Sequence, residues 1–81
     1  MTTDWIEANG ALKKKFRFSD LKAALVFVNR VGEIAETTQH HPDIDIRYNE
    51  VSLTTTTHDA GNVVTDKDRE LARAIDTMLS A

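Results

Sequence analysis

The sequence predicts an α+β domain of order ββαββα, a four-stranded antiparallel sheet with two helices packed on one face. Three observations carry that expectation. Asn9-Gly10 separates two strand-like arms near the start of the chain. Two segments, Leu21 to about Gln39 and the stretch after Thr65, repeat apolar residues at spacings of three and four. Between them, residues from Ile44 to His58 alternate apolar or β-branched side chains with polar ones around a tight turn near Asn49-Glu50.

The first arm runs from Trp5 to Ala8 and the second from Ala11 to Phe18, flanking a dipeptide in which both residues tolerate positive φ. In the second arm Leu12, Phe16 and Phe18 share a face, so Lys13–Lys15 with Arg17 read as a solvated edge or outer face. Ser19 is expected to cap the first helix, with Asp20 against the positive end of its dipole. Leu21, Ala24, Leu25, Val28, Val31 and Ala35 define its buried stripe, widened by Val26, Phe27 and Ile34. Gly32 costs about 1 kcal/mol against alanine inside a helix, which predicts a close helix–sheet contact there. Pro42 forbids continuation.

Ile44, Ile46 and Tyr48 then read as the apolar face of a half-buried strand, with Val51, Leu53, Thr55 and Thr57 on its return. A loop, Asp59–Asn62, leads to the second helix. That helix opens on the capping-box spacing Thr65-Asp66-Lys67-Asp68, which explains Asp66 and Asp68, and carries Leu71, Ala72, Ile75, Met78 and Leu79 on one stripe. Trp5, Phe16, Phe18 and Phe27 are expected in the core.

Eighty-one residues make one domain, 1–81, near the size where a single core becomes marginal. A domain this small buries only about 60–65% of the surface its unfolded chain exposes, and one sheet face would be left open, so self-association is expected. Ten basic and thirteen acidic side chains give 10 − 13 = −3, a poor balance for direct duplex binding. The chain has no cysteine, which excludes disulfide scaffolds, thiolate metal sites and cysteine nucleophiles, and suits a reducing, cytoplasmic location. There is no basic-then-apolar leader, and no apolar run approaches the roughly 18–20 residues of a membrane span.

The chemistry gathers on histidine. All three are His40-His41, before Pro42, and His58, at the end of the threonine strand. The hairpin between Pro42 and His58 would return His58 towards the histidine pair. Glu36, four residues before His40, would share its helix face and orient an imidazole. Imidazole exchanges protons at neutral pH, so such a cluster suits general acid–base catalysis. Ser19, Ser52 and Ser80 lack a nucleophile-elbow context, and Gly10, Gly32 and Gly61 are too scattered to cradle phosphate. A zinc site is the rival reading for three histidines, weakened because adjacent side chains diverge and no His-x-x-x-His pair supports it. Taken singly, each histidine reads as an ordinary surface or core residue; the case rests on their grouping.

Glu36-x-x-x-His40-His41-Pro42, then Tyr48, His58-Asp59-Ala60-Gly61, Asp68 and Leu71-Ala72 resembles the pterin-4a-carbinolamine dehydratases, also known as the dimerisation cofactors of a homeodomain transcription factor. Phe16-x-Phe18, the helix Leu21–Gln39 and Trp5 before the Asn-Gly turn fit the same pattern over nearly the whole chain. The resemblance implies dehydration of a 4a-hydroxytetrahydropterin to the quinonoid dihydropterin, in tetrahydrobiopterin recycling, without metal or other cofactor. It implies that His40, His41 and His58 bind the pterin and exchange protons. Pro42 would shape one wall and Thr57, His58, Asp59 and Ala60 another, partly through backbone groups, with Glu36 and Asp68 as orienters. It further implies a homodimer or homotetramer, and allows a second role as a protein-binding, coactivator-like module. The chain departs from the pattern at Asn62, where members often have glycine, and in a loop one residue longer before Asp68. Members usually also carry a helical segment ahead of the tryptophan, where four residues stand here, so assembly or stability is expected to differ.

Overall fold

Two tight turns organise the sheet in the computed structural model, which describes residues 5–80; the segment ahead of Trp5 lies outside them. Strands β1 (Ile6–Ala8) and β2 (Ala11–Arg17) are joined by Asn9 and Gly10 at φ 54° and 78°, the pair of positive values such a hairpin requires. Strands β3 (Asp43–Arg47) and β4 (Glu50–Thr55) turn through Tyr48 and Asn49, because Arg47 already pairs with Glu50. Tyr48 therefore stands in the turn at φ 54°, 67% exposed, instead of half-buried on a strand. Asn49 Nδ2 donates to the Phe18 carbonyl at 2.9 Å and the Phe18 amide to the Asn49 carbonyl at 2.8 Å, tying this hairpin to the end of β2. The strand order is β1-β2-β4-β3, with every neighbour antiparallel.

Helices α1 (Leu21–Thr38) and α2 (Asp66–Ser80) complete the predicted ββαββα order. The cap of α1 is Asp20, not Ser19: its carboxylate accepts from the Ala23 amide at 2.8 Å, satisfying an orphan helical N–H. At the other end Gln39 adopts φ 57° and its amide donates to the Ala35 carbonyl. This left-handed residue swings the chain off the helix just before His40. The core joins Phe16, Val51 and Leu53 of the sheet to Ala24, Phe27 and Val31 of α1 and Leu71 and Ile75 of α2. Each large member stabilises by roughly 1.5–3 kcal/mol through burial. Phe27 stacks at 4.8 Å from both Phe16 and Phe18, and Trp5 packs on the cluster's edge.

Four expectations need correction. The buried stripe of α1 is Ala24, Phe27, Val31 and Ala35, leaving Leu21, Leu25 and Val26 exposed because the sheet reaches only one side of the helix; Leu79 of α2 is exposed as well. Ile44 and Ile46 face the helix side but remain 39% and 37% exposed, since β3 is the edge strand. Gly32 makes no close contact: an added Cβ would meet nothing within 4 Å. Lys14, between Leu12 and Phe16 in the alternation, lies on the core side, where Nζ is 2.9 Å from Asp76 of α2 and 4.9 Å from the Phe16 ring centre. Trp5 Nε1 donates to the same carboxylate at 3.0 Å. Lys13, Lys15 and Arg17 do face outwards, where the Arg17 hydrogen bond and the Lys15 charge lower the Glu50 carboxyl.

Candidate active site

The last turn of α1, the end of β4 and the start of α2 converge on one carboxylate. Asp68 is fully buried, and four donors reach it. His40 Nε2 (2.5 Å) and Thr55 Oγ1 (2.6 Å) bond Oδ1, while Thr57 Oγ1 (2.7 Å) and the Thr65 amide (2.9 Å) bond Oδ2. The last of these is the capping-box bond that the sequence predicts. The other three come from outside α2: His40 from 28 residues back, Thr55 from 13 and Thr57 from 11. Burial raises the carboxyl, but the hydrogen bonds of Thr55, His40, the Thr65 amide and Thr57 outweigh it and lower the group from 3.8 to about 2.

That ionised carboxylate fixes the protons around it. Asp68 can only accept, so His40 carries its proton on Nε2, and neutral His40 leaves Nδ1 with a lone pair. The single hydroxyl proton of Thr57 goes to Asp68, so in the 2.6 Å Thr57–Thr65 contact it is Thr65 that donates. Thr65 Oγ1 in turn accepts from the Lys67 amide at 3.3 Å.

His41 points elsewhere. Its Nε2 lies 2.6 Å from Glu36 Oε2, one helical turn back on α1, and both side chains are exposed. The predicted Glu36 contact exists, but with His41 and not His40, because the left-handed Gln39 turns His40 inwards. Glu36, His41 and Pro42 line an open cleft of about 610 Å³, with Asn29, Gly32 and Glu33 of α1 and Ile44 of β3 along its other walls. The missing side chain of Gly32 widens it. Among the residues predicted for the site, this cleft takes Glu36, His41 and Pro42; His40, His58 and Asp68 do not line it.

His58, Asp59 and Ala60 form a single 3-10 turn and all three are exposed. His58 Nδ1 meets Asn62 Oδ1 at 2.7 Å, so the residue that departs from the expected glycine orients this imidazole and leaves Nε2 outwards. Asn62 holds φ 60° without strain unusual for asparagine. The Asn9-Gly10 turn packs beneath this loop: Thr56 Oγ1 donates to the Gly10 carbonyl at 2.7 Å, and a Cβ on Gly10 would sit 2.2 Å from the Asn62 carbonyl oxygen. Thr57 is an internal hub. Its amide donates to the Val63 carbonyl, its own carbonyl accepts from the Ala60 and Asn62 amides, and it is 6% exposed.

The three imidazoles thus bond three different partners, and no hydrogen bond joins one to another among the described residues. His40 and His58 are linked through the chain, since Thr57 shares Asp68 with His40. Among the described residues no group of three or more His, Asp or Glu stands where it could hold a metal ion, and no helix is long and apolar enough to cross a membrane. Sequence reasoning missed Thr55 and Thr65; the signal was two buried threonines two residues apart, Thr55 at the end of β4 and Thr57 just beyond it, followed by a capping aspartate.

A sequence model of the family described as pterin 4 alpha carbinolamine dehydratase matches residues 1–78. A Gloeobacter violaceus protein is 54% identical over 76 residues, spanning 89% of this chain and 82% of that one. A Chloroflexus aurantiacus protein is 50% identical over 76 residues, spanning 94% and 81%. Both are named, provisionally, as pterin-4-alpha-carbinolamine dehydratases. The crystal structure of a transcriptional coactivator/pterin dehydratase from Brucella melitensis matches with a TM-score of 0.84 and 32% identity, over 90% of this chain and 79% of that one. A pterin dehydratase-like protein, described as a RuBisCO assembly factor in the alpha-carboxysome, shares the fold at a TM-score of 0.77 and 23% identity, over 93% and 88%.

Proposed function

The chain belongs to the pterin 4 alpha carbinolamine dehydratase family, and from that premise we propose that it dehydrates a 4a-hydroxytetrahydropterin to the quinonoid dihydropterin by histidine acid–base catalysis. In that reaction the ring nitrogen beside the carbinol carbon supplies the electron pair that expels the 4a oxygen. An acid protonates the departing oxygen, which leaves as water, and a base takes the proton from the nitrogen. Neutral and protonated imidazole match the two steps.

The observation that carries this reading is a buried, ionised carboxylate that holds one of the three histidines. Asp68 holds His40 through Nε2 and leaves Nδ1 for proton exchange. Glu36 bonds His41 more loosely, in the open at the cleft, and Asn62 bonds His58. Pro42 forms a wall beside the pterin, and the exposed turn His58-Asp59-Ala60 covers its other side. Thr57 supports that wall from within. The reaction serves tetrahydropterin recycling in the cytoplasm and draws on no added cofactor. Titrating the wild type and His58→Ala with a pterin tests the binding part: the wild type saturates and the variant binds at least tenfold more weakly. Equal affinity would remove His58 from the site.

The exposed Leu21, Leu25 and Val26 of α1 and the open edge of β3 support assembly into a homodimer or homotetramer. A mass that stays monomeric at every concentration would exclude it. A second reading, a protein-binding module with or without the activity, is favoured by the coactivator description of the Brucella relative. It predicts partner binding that survives removal of the histidines.

A further inference from the structure

Helix capping needs one contact from Asp68, the bond from the Thr65 amide. It does not explain Thr55, the last residue of β4, which is 1% exposed and pairs with Leu12 in the middle of the sheet. Thr55 Oγ1 gives its only proton to Asp68 Oδ1, the oxygen that also receives His40. A carboxylate oxygen offers two lone-pair sites, and on both oxygens of Asp68 both are taken. The sheet fixes the backbone of Thr55, and a β-branched side chain has few rotamers, so its hydroxyl is a rigid donor.

We infer that Thr55 is a positioning residue for His40: its hydroxyl occupies one acceptor site of Asp68 Oδ1, which confines the His40 Nε2–H bond to the other and leaves Nδ1 as the nitrogen open to proton exchange. The hydroxyl also draws electron density from Oδ1, moderating its pull on the imidazole proton. Thr57 and the Thr65 amide do the same for Oδ2, but neither shares an oxygen with His40. The inference deepens the dehydratase reading and rests on His40 as a proton-transfer group, yet it concerns a geometry present in the free protein.

The test uses the whole chain without ligand, labelled with ¹⁵N in its histidine rings. When the ring is neutral, wild-type His40 shows its proton on Nε2 and a lone pair on Nδ1. Thr55→Val keeps the shape and removes the hydroxyl, so the Nε2–H proton signal moves downfield as Oδ1 loses a competing donor. Thr55→Ser keeps the hydroxyl and restores the wild-type signal. In turnover, kcat of Thr55→Val falls about tenfold or more with KM little changed, since misdirection of a reacting group costs rate before affinity, and serine rescues it. A wild-type signal in Thr55→Val, with the change appearing in Thr55→Ser, would make the role one of packing and overturn the inference. Should the valine variant fail to fold, Thr55→Ala against Thr55→Ser decides on the same signal: a shift in alanine alone supports it, equal signals overturn it. If the wild type shows no dehydratase activity, the functional reading fails while the ring-nitrogen signals still judge this one.

Discussion

His40 and His41 are covalent neighbours in opposite surroundings. His40 bonds a carboxylate that is wholly buried and held by three further donors, whereas His41 bonds Glu36 in the open, with 55% and 74% of the two side chains exposed. A surface contact of the second kind is worth about 0–1 kcal/mol and can be exchanged for water at little cost. A buried hub of the first kind cannot, because each partner left behind would be desolvated and unpaired. One imidazole is therefore preorganised and the other can reorient against whatever enters the cleft. A proton-transfer site gains from having both: a fixed group sets the geometry, and an adjustable one accommodates substrate and product.

The sharpest way to break this contrast is Asp68→Asn. The amide has one accepting oxygen, and its NH₂ would face donors that now meet a carboxylate. We expect a loss of about 3 kcal/mol in urea unfolding, together with misorientation of His40. Gly10→Ala attacks the link between the hub and the His58 loop. The φ of 78° and the 2.2 Å approach to the Asn62 carbonyl leave no room for a methyl, so stability should fall by roughly 2–3 kcal/mol, with the His58 and Asn62 resonances shifting.

Acid tests the hub without mutation. The folded Asp68 carboxyl sits at about 2, below its unfolded value, so its contribution is complete above about pH 4 and disappears as pH falls towards 2. About 2 kcal/mol of acid sensitivity in that window should be present in the wild type and absent from Asp68→Asn, measured as unfolding free energy against pH. The smallest effect belongs to the open pair: Glu36→Gln should change stability by less than about 0.5 kcal/mol, read in the same urea titration. A larger loss would show that the two regions are not different in kind.

The sequence makes the elements legible because periodicity and turn chemistry are local. Asn9-Gly10, the two helices and the Thr65–Asp68 box all appear where their spacing predicts, although the buried stripes of α1 and α2 are narrower than the periodicity suggests. What it leaves unread is set by tertiary neighbours. Nothing in the threonine run distinguishes a good strand from two hydroxyl donors to a helix-capping aspartate until β4 and α2 are packed together. The exchange of partners between His40 and His41 depends on one left-handed residue, Gln39, whose type does not demand that conformation. Lys14 reads as surface charge because its counter-ion, Asp76, is 62 residues away. Gly32 suggests close packing but opens onto the cleft.

The most direct measurement is the rate at which a 4a-hydroxytetrahydropterin loses water in the presence of the wild type and of His40→Ala, His41→Ala and His58→Ala. The account predicts acceleration over the uncatalysed reaction by the wild type and a fall of about 10²-fold or more in each variant, deepest where the imidazole is held by Asp68. Undiminished acceleration by a protein lacking all three imidazoles would contradict it.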